Sequence, residues 1–347
     1  MRAITVIPGQ AGSARLDEVP EPAEEEGAVL VDAIALGICG TDGEIAGGEY
    51  GWAPAGEERL VLGHESLGRV RECPDDAGLS PGDLVVGIVR RPDPIPCACC
   101  AAGEWDFCRN GDYTERGIKE RHGYGSERWR VEPEFAVRID ADLVDVGVLL
   151  EPTSVVAKAW EQIERIGGRA CFDAHSVLVT GAGPIGLLAA LLAAQRGHEV
   201  HVLDRVTSGP KPGLVERLGA TYHANSAEDA GPFDIVIEAT GAGPVVADAM
   251  QGTGRNGIVC LTGVSPAGRT IDFDVASLNR TMVLENDVVF GSVNANRRHY
   301  EAAADALARA DRDWLRSVIS RRVPLDRWSE ALERQDDDVK VVVALDA

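Results

Sequence analysis

Ser176-Val177-Leu178-Val179-Thr180-Gly181-Ala182-Gly183-Pro184-Ile185-Gly186 is an apolar β-run that breaks into a glycine turn, and the spacing predicts a helix over Leu187–Arg196, stopping at Gly197. Glycines at 181, 183 and 186 give what a dinucleotide site needs: a tight bend, close approach of backbone to a pyrophosphate, and close packing of helix on strand. Spacing alone is weak, because glycine-rich turns are common. Its place between strand and helix carries the weight. The helix N-terminus then offers amide donors and a positive dipole end to phosphate. Gly181, Gly183, Pro184, Ile185 and Gly186 are therefore the expected cofactor cradle.

Strand and helix keep alternating around this turn. Val200–Leu203, Phe233–Ala239, Ile258–Leu261 and Val288–Phe290 read as further strands, and such alternation implies a doubly wound parallel sheet. Upstream, the first 150 residues read as short strands and turns, with β-runs at Val29–Val31, Leu67–Val70 and Asp83–Val89. Val155, Val156, Ala159, Trp160, Ile163 and Ile166 then recur at helical spacing, up to Gly167-Gly168. Downstream, helices are expected over Tyr300–Ala310, Trp314–Ile319 and Arg327–Arg334. A last strand, Val339–Leu345, is placed to rejoin the first sheet. Ser208–Gly213 reads only as a loop. The expected division is a β-rich domain over 1–152, a nucleotide domain with its bridging helix over 153–296, and a return segment over 297–347.

At 347 residues the chain has room for about two domains, and its 45% apolar and 26% charged residues are ordinary for a globular protein. The N-terminus runs straight into a strand, without a basic stretch followed by an apolar one, so a cytoplasmic protein is expected. The net charge of −22 disfavours nucleic acid and anionic membranes as partners. Adaptation to high salt would produce it, and so would a lysine-poor composition selected for solubility; the second is the plainer cause. Lys119, Lys158, Lys211 and Lys340 are the only lysines. Eight cysteines without a secretion signal point to metal or buried thiols rather than disulfides. Cys73, Cys171 and Cys260 stand alone and are expected to pack as small hydrophobes. Cys97, Cys99, Cys100 and Cys108 cluster.

Asp204 lies 18 residues beyond Gly186, at the end of the next strand. A carboxylate there accepts hydrogen bonds from the adenosine ribose and repels a 2′-phosphate, which favours NAD. Arg205 argues the other way, since a guanidinium pairs with that phosphate. NAD is the first expectation and NADP its rival.

Chemistry enters with Cys39, in Gly37-Ile38-Cys39-Gly40-Thr41-Asp42, and with Gly63-His64-Glu65. Thiolate and imidazole suit zinc, and a catalytic zinc takes three protein ligands and leaves one position open. A lone histidine is more often a satisfied core residue; the adjacent Glu65 and the glycine-flanked Cys39 reverse that judgement. The oxygen ligand would be Glu65, or Glu151 in Leu150-Glu151-Pro152. Zinc would polarise a substrate hydroxyl, Thr41 would take its proton, and nicotinamide would accept the hydride.

These segments resemble the zinc-dependent medium-chain dehydrogenases. Val89-Arg90-Arg91-Pro92, Gly111–Ile118, Glu151–Trp160 and Gly291-Ser292-Val293-Asn294 are similar to the glucose dehydrogenase branch. The likeness spans nearly the whole chain. It implies an α/β fold, with a GroES-like β-rich catalytic domain and a Rossmann doubly wound parallel-sheet domain, assembled as homodimers or homotetramers. It implies Zn2+ on Cys39 and His64, with Glu65 and Glu151 supplying oxygen. Glu115, Glu151 and Asn294 would meet the sugar or polyol, and Thr240, Val264 and Asn294 would meet the cofactor.

Two departures stand out. Family members with a second, structural zinc carry C-x2-C-x2-C-x7-C; here Cys97, Cys100 and Cys108 fit the last three places, Pro94 occupies the first, and Cys99 is extra. Either Cys99 substitutes or the lobe has lost its metal. Glu44 replaces the histidine that many alcohol dehydrogenases use to pass the proton outward. The expected reaction is oxidation of an aldose, glucose at C1 first. A polyol or aminocyclitol dehydrogenase is the same-class rival, and a catalytically silent nucleotide-binding relative is the rival of another class.

Overall fold

The computed structural model describes residues 1–227, 230–266, 268 and 270–346. The chain divides into two compact units: Met1–Ser154 together with the chain from Asn294 onward, and Val155–Val293. Among the described residues no helix is long and apolar enough to cross a membrane.

The second unit is built on six strands, all parallel, in the order Thr221–His223, Glu199–Leu203, Ser176–Thr180, Phe233–Glu238, Thr253–Leu261, Val288–Gly291. Ser176–Thr180 lies at the centre because it is apolar on both faces: Val177, Leu178 and Val179 are all buried, with Val177 opposite Val200 on one side and Ile235 on the other. Continuous apolar runs are what a sheet covered on both faces demands. The following helix is Pro184–Gln195, starting earlier than its apolar period suggests because Pro184 sits in its first turn with its φ preset for a helix. Four elements escaped the sequence reading, one of them the helix Gly243–Ala249, with a proline in its first turn. The strand Thr221–His223 is short and half-polar, the helix Val275–Glu285 buries no residue, and the helix Pro210–Glu216 replaces the expected loop at Ser208–Gly213. There the proline again opens the helix rather than breaking it.

The glycine turn has two different steric requirements. Gly181 takes a φ of +90°, and a Cβ on Gly186 would run into the carbonyl oxygen of Gly181. A Cβ on Gly183 would meet nothing within 4 Å.

In the first unit a seven-stranded sheet centres on Val29–Ile38. That strand pairs antiparallel with Glu65–Glu72, Arg128–Val131 and Lys340–Ala344. The register sets Gly37 opposite Glu65 and Ile38 opposite Val341, which gathers Cys39, His64-Glu65 and Lys340 at one end of the sheet. The last strand thus rejoins the first unit's sheet. Two helical expectations need correction. The helix expected to Ile319 is Arg312–Val318, and Ile319–Pro324 is instead a strand parallel to Lys340–Ala344. Arg327–Arg334 is not an α-helix; a 3-10 stretch covers Leu325–Ala331. Partner strands overrode the local period in the first case.

The turn geometry makes a paired prediction. Gly186→Ala should lower unfolding free energy by about 1–3 kcal/mol through overpacking, whereas Gly183→Ala should leave it within about 0.5 kcal/mol. Urea unfolding of both variants checks this; equal losses would refute the assignment of Gly186 as the packing glycine.

Candidate metal centre and dinucleotide site

Cys39 ends the Val29–Ile38 strand and caps the helix Gly40–Ala46, so its thiol is fixed by two elements. Its Sγ lies 3.1 Å from His64 Nε2, and one donor atom each from Cys39, His64 and Glu65 lie within 4.8 Å of one another. His64 and Glu65 are buried and Cys39 is half-buried. Asp42, wholly buried, accepts from Cys39 N at 2.9 Å with Oδ2 and turns Oδ1 towards His64 Nδ1 at 3.5 Å. A carboxylate behind a histidine orients the ring and fixes which nitrogen faces a metal. Burial works against a charge on His64, but Cys39 and Asp42 outweigh it and hold its pKa well above the usual value.

Lys340, 1% exposed, pairs with Glu65 Oε2 and donates to Ile38 O at 2.9 Å. Burial would lower its pKa, yet Glu65 and Cys39 raise it, so it stays charged. Glu151, half-buried in the first turn of the helix Leu150–Gly167, stands outside the 4.8 Å group. Its carboxyl is raised to about 7 by desolvation, with His64 and Lys340 pulling it down and Glu65 and Asp42 pushing it up. Thr41 sits half-buried in the first turn of the helix that Cys39 caps.

Soft sulfur, imidazole nitrogen and carboxylate oxygen converging from three residues, backed by an aspartate on the imidazole, fit a zinc site with one place open. The sequence had supplied the three converging residues. It had not supplied Asp42, which there only closes the cysteine segment, or Lys340, which nothing near it in sequence marks.

The other expected residues fall as follows. Glu115 is buried and accepts from Arg90 Nε at 3.0 Å with Oε1, while the Arg90 guanidinium lies over the Tyr113 ring. Asn294 has φ +54°, donates weakly to Asp106 O at 3.4 Å, and leaves a buried Oδ1 without a partner. Thr240 N donates to Glu238 Oε1 at 2.7 Å, and Val264 is exposed. The turn fits a dinucleotide: the space beside Gly183 is open, and the helix Pro184–Gln195 has no side-chain cap on its first-turn amides. Asp204 does not stand free, since it accepts from Ala182 N at 2.7 Å and from Lys211 Nζ at 3.0 Å.

In the cysteine lobe the grouped thiols are Cys97, Cys100 and Cys108. Cys99 is not among them, and its thiol lies against Cys97. The fourth polar group is Asp93, buried, with Oδ1 held by Ile95 N at 2.8 Å and Oδ2 4.0 Å from Cys108 Sγ. The Cys97 thiol is lowered to about 6 by hydrogen bonds from Arg109 N and Cys100, and burial pushes Cys100 up to about 11. Asp93 had been missed because a thiol was sought at Pro94.

A β-rich unit holding a sulfur–imidazole–carboxylate set, on a chain with a doubly wound nucleotide unit, defines a zinc-type medium-chain alcohol dehydrogenase. Comparison with known proteins refines this. Residues 25–141 match the alcohol dehydrogenase GroES-like domain, and residues 144–345 match the glucose dehydrogenase C-terminus. The chain is 41% identical to glucose 1-dehydrogenase of Methanocella arvoryzae, covering 100% of both, and 39% identical to that of Thermoproteus tenax, covering 99% of both. Among solved structures it is similar to Haloferax mediterranei glucose dehydrogenase in complex with NADP, Zn and gluconolactone, with TM-score 0.91, 32% identity and 99% of each chain covered. The chain belongs to the glucose dehydrogenase family of zinc-dependent medium-chain dehydrogenases.

Glu151 makes the metal-free protein sensitive to pH. Unfolded, its carboxyl titrates near 4.5; folded, near 7. Between those values the folded chain holds a proton that the unfolded chain lacks, so this contribution to stability falls as pH rises through the window. Metal-free Glu151→Gln should therefore lose less stability than the parent across that range in urea unfolding. Equal slopes would remove Glu151 as the source.

Proposed function

We propose that this chain oxidises D-glucose at C1 to the gluconolactone, using zinc held by Cys39, His64 and a carboxylate, with NAD or NADP as hydride acceptor. The observation that carries this is the convergence of Cys39, His64 and Glu65 within 4.8 Å at one end of the sheet. When bound, zinc supplies Lewis acidity to a hydroxyl and the nicotinamide accepts hydride.

The chain's own groups do the positioning. Asp42 fixes the His64 ring, and Lys340 holds Glu65 and balances its charge. Thr41 Oγ1 accepts the proton that the sugar hydroxyl loses as its own proton passes on to solvent, since Glu44 offers no imidazole to carry it outward. Glu115, fixed through Oε1 by Arg90, presents Oε2 to sugar hydroxyls, and the unpartnered Asn294 Oδ1 accepts a hydrogen bond from a ligand. A site built to hydrogen-bond particular hydroxyls rejects analogues that lack them.

A second zinc belongs to Cys97, Cys100, Cys108 and Asp93, three thiolates and one carboxylate, with Cys99 outside the shell. The chain assembles as a homodimer or homotetramer. Val283 and Leu284, 69% and 66% exposed on a helix that buries nothing, mark the face that a second copy would cover. Light scattering at monomer mass would overturn that assembly.

The reaction is tested by following reduced nicotinamide with a panel of aldoses, polyols and cyclitols, before and after chelation, with zinc counted in parallel. Glucose should be oxidised fastest, and complete zinc removal should abolish turnover. Asp93→Ala should lose one zinc per chain and Cys99→Ala none. Turnover surviving zinc removal, or a faster cyclitol, would reject the assignment.

A further inference from the structure

Asp106 lies in the 3-10 turn Trp105–Phe107, between Cys100 and Cys108, with its side chain wholly buried. Trp105 packs edge-on against Phe135, ring centroids 5.6 Å apart, which seats this turn beside the strand Ala136–Ile139. From there Asp106 grips a segment 190 positions further along the chain. Its Oδ1 accepts from Asn296 Nδ2 at 2.8 Å, and Gly103 O accepts from the same nitrogen at 2.8 Å. Both Nδ2 protons of Asn296 are thereby spent on the cysteine lobe. Asn296 N donates to His299 Nδ1 at 2.9 Å, so this buried residue is held from two sides. Arg298 Nη2, 3.9 Å from Asp106 Oδ2, balances the charge.

What this clamp fixes is Asn294. Its φ of +54° lies in the left-handed region, which residues other than glycine keep only where their surroundings impose it. Only Ala295, itself buried, separates it from Asn296, so the turn relaxes only if the lobe lets go. Asn294 Nδ2 donates to the backbone oxygen of Asp106 at 3.4 Å. The two ends of a side-chain amide are rigidly opposed, so the donor contact decides where the acceptor aims. Asn294 Oδ1 is buried and has no protein partner. An acceptor left in that state costs free energy until a ligand donor reaches it. The cysteine lobe therefore sets the aim of a group that the rest of the chain leaves for a ligand.

We propose that Asp106 positions Asn294 for sugar recognition, holding the left-handed turn through Asn296 so that Asn294 Oδ1 receives one particular sugar hydroxyl. This rests on the oxidation of glucose proposed above. Asp106 acts through its neighbours and is a positioning residue.

The test follows kcat and KM for glucose at saturating dinucleotide, with zinc counted and NADPH and NADH titrated without sugar by nicotinamide fluorescence. Asp106→Ala and Asn296→Ala should each raise the glucose KM about fivefold or more and leave kcat within about twofold, the pattern of lost binding shared by ground and transition states. Dinucleotide affinity and zinc content should match the parent. Asp106→Asn keeps an oxygen for Asn296 Nδ2 and should stay within about twofold of the parent. Among glucoses deoxygenated at C2, C3, C4 or C6, one should erase the difference between parent and Asp106→Ala, because it lacks the hydroxyl that Asn294 reads. Unchanged KM in both alanine variants, an equal loss with every deoxyglucose, or weakened dinucleotide binding overturns the proposal. If Asp106→Ala fails to fold, Asn296→Ala decides. Failure of both to fold beside a native Asp106→Asn would mark a purely structural clamp and overturn it too. A parent that leaves glucose untouched sinks the underlying reaction and the proposal with it. A parent that oxidises glucose while the variants match it sinks only the role of Asp106.

Discussion

A buried ammonium on the last strand holds the metal centre together. Lys340 lies among Glu65, Asp42 and Cys39, and its hydrogen bond to Ile38 O pins it to the strand that delivers Cys39. Taking one partner from a buried ion pair leaves the other uncompensated, at a cost of about 3–5 kcal/mol. Without Lys340, Glu65 would lose its buried cationic partner. The centre draws on residues 39–42, 64–65, 151 and 340, so it exists only once the final strand has paired with Val29–Ile38. Contacts so distant in sequence form slowly, and the loop-closure entropy comes before the reward.

The nucleotide unit uses buried and half-buried carboxylates in a related way. Glu238, fully buried at the end of its strand, accepts from Thr240 N, Gly241 N and the Thr180 hydroxyl. Its backbone oxygen takes Thr262 N and Gly263 N. Asp204 does the same for Ala182 and Val206. Both side chains tie down loops at the carboxyl ends of the strands, where ligands bind in such sheets. Each supplies acceptors to the amides of these loops, so the loops are tied to the strand ends before any ligand arrives.

What could be read from the sequence followed physical type. The central strand and glycine turn were legible because a two-faced apolar run and a steric glycine leave few alternatives. Cys39, His64 and Glu65 were legible by donor chemistry, and the sugar only by resemblance. Asp42, Asp93, Lys211 and Lys340 were not, because a charged residue shows its task only through its partner, and those partners are set by register and topology. The strand Ile319–Pro324 was hidden for a similar reason: Ile319-Ser320-Arg321-Arg322-Val323 is half-polar, and what makes it a strand is the row of valines beside it and the Arg321–Asp338 pair at its end.

The lysines have one further consequence. None of the four is exposed: Lys158, Lys211 and Lys340 are buried, and Lys119 is half-buried, donating to Gly111 O and lying over the Tyr113 ring. The terminal amine of Met1 is itself tied to Val19 O. Open-chain aldoses carry an aldehyde, and aldehydes condense with free primary amines far more readily than with guanidinium groups. A protein of this family works in the presence of reducing sugar, and this one presents a surface on which glycation finds almost no lysine amine.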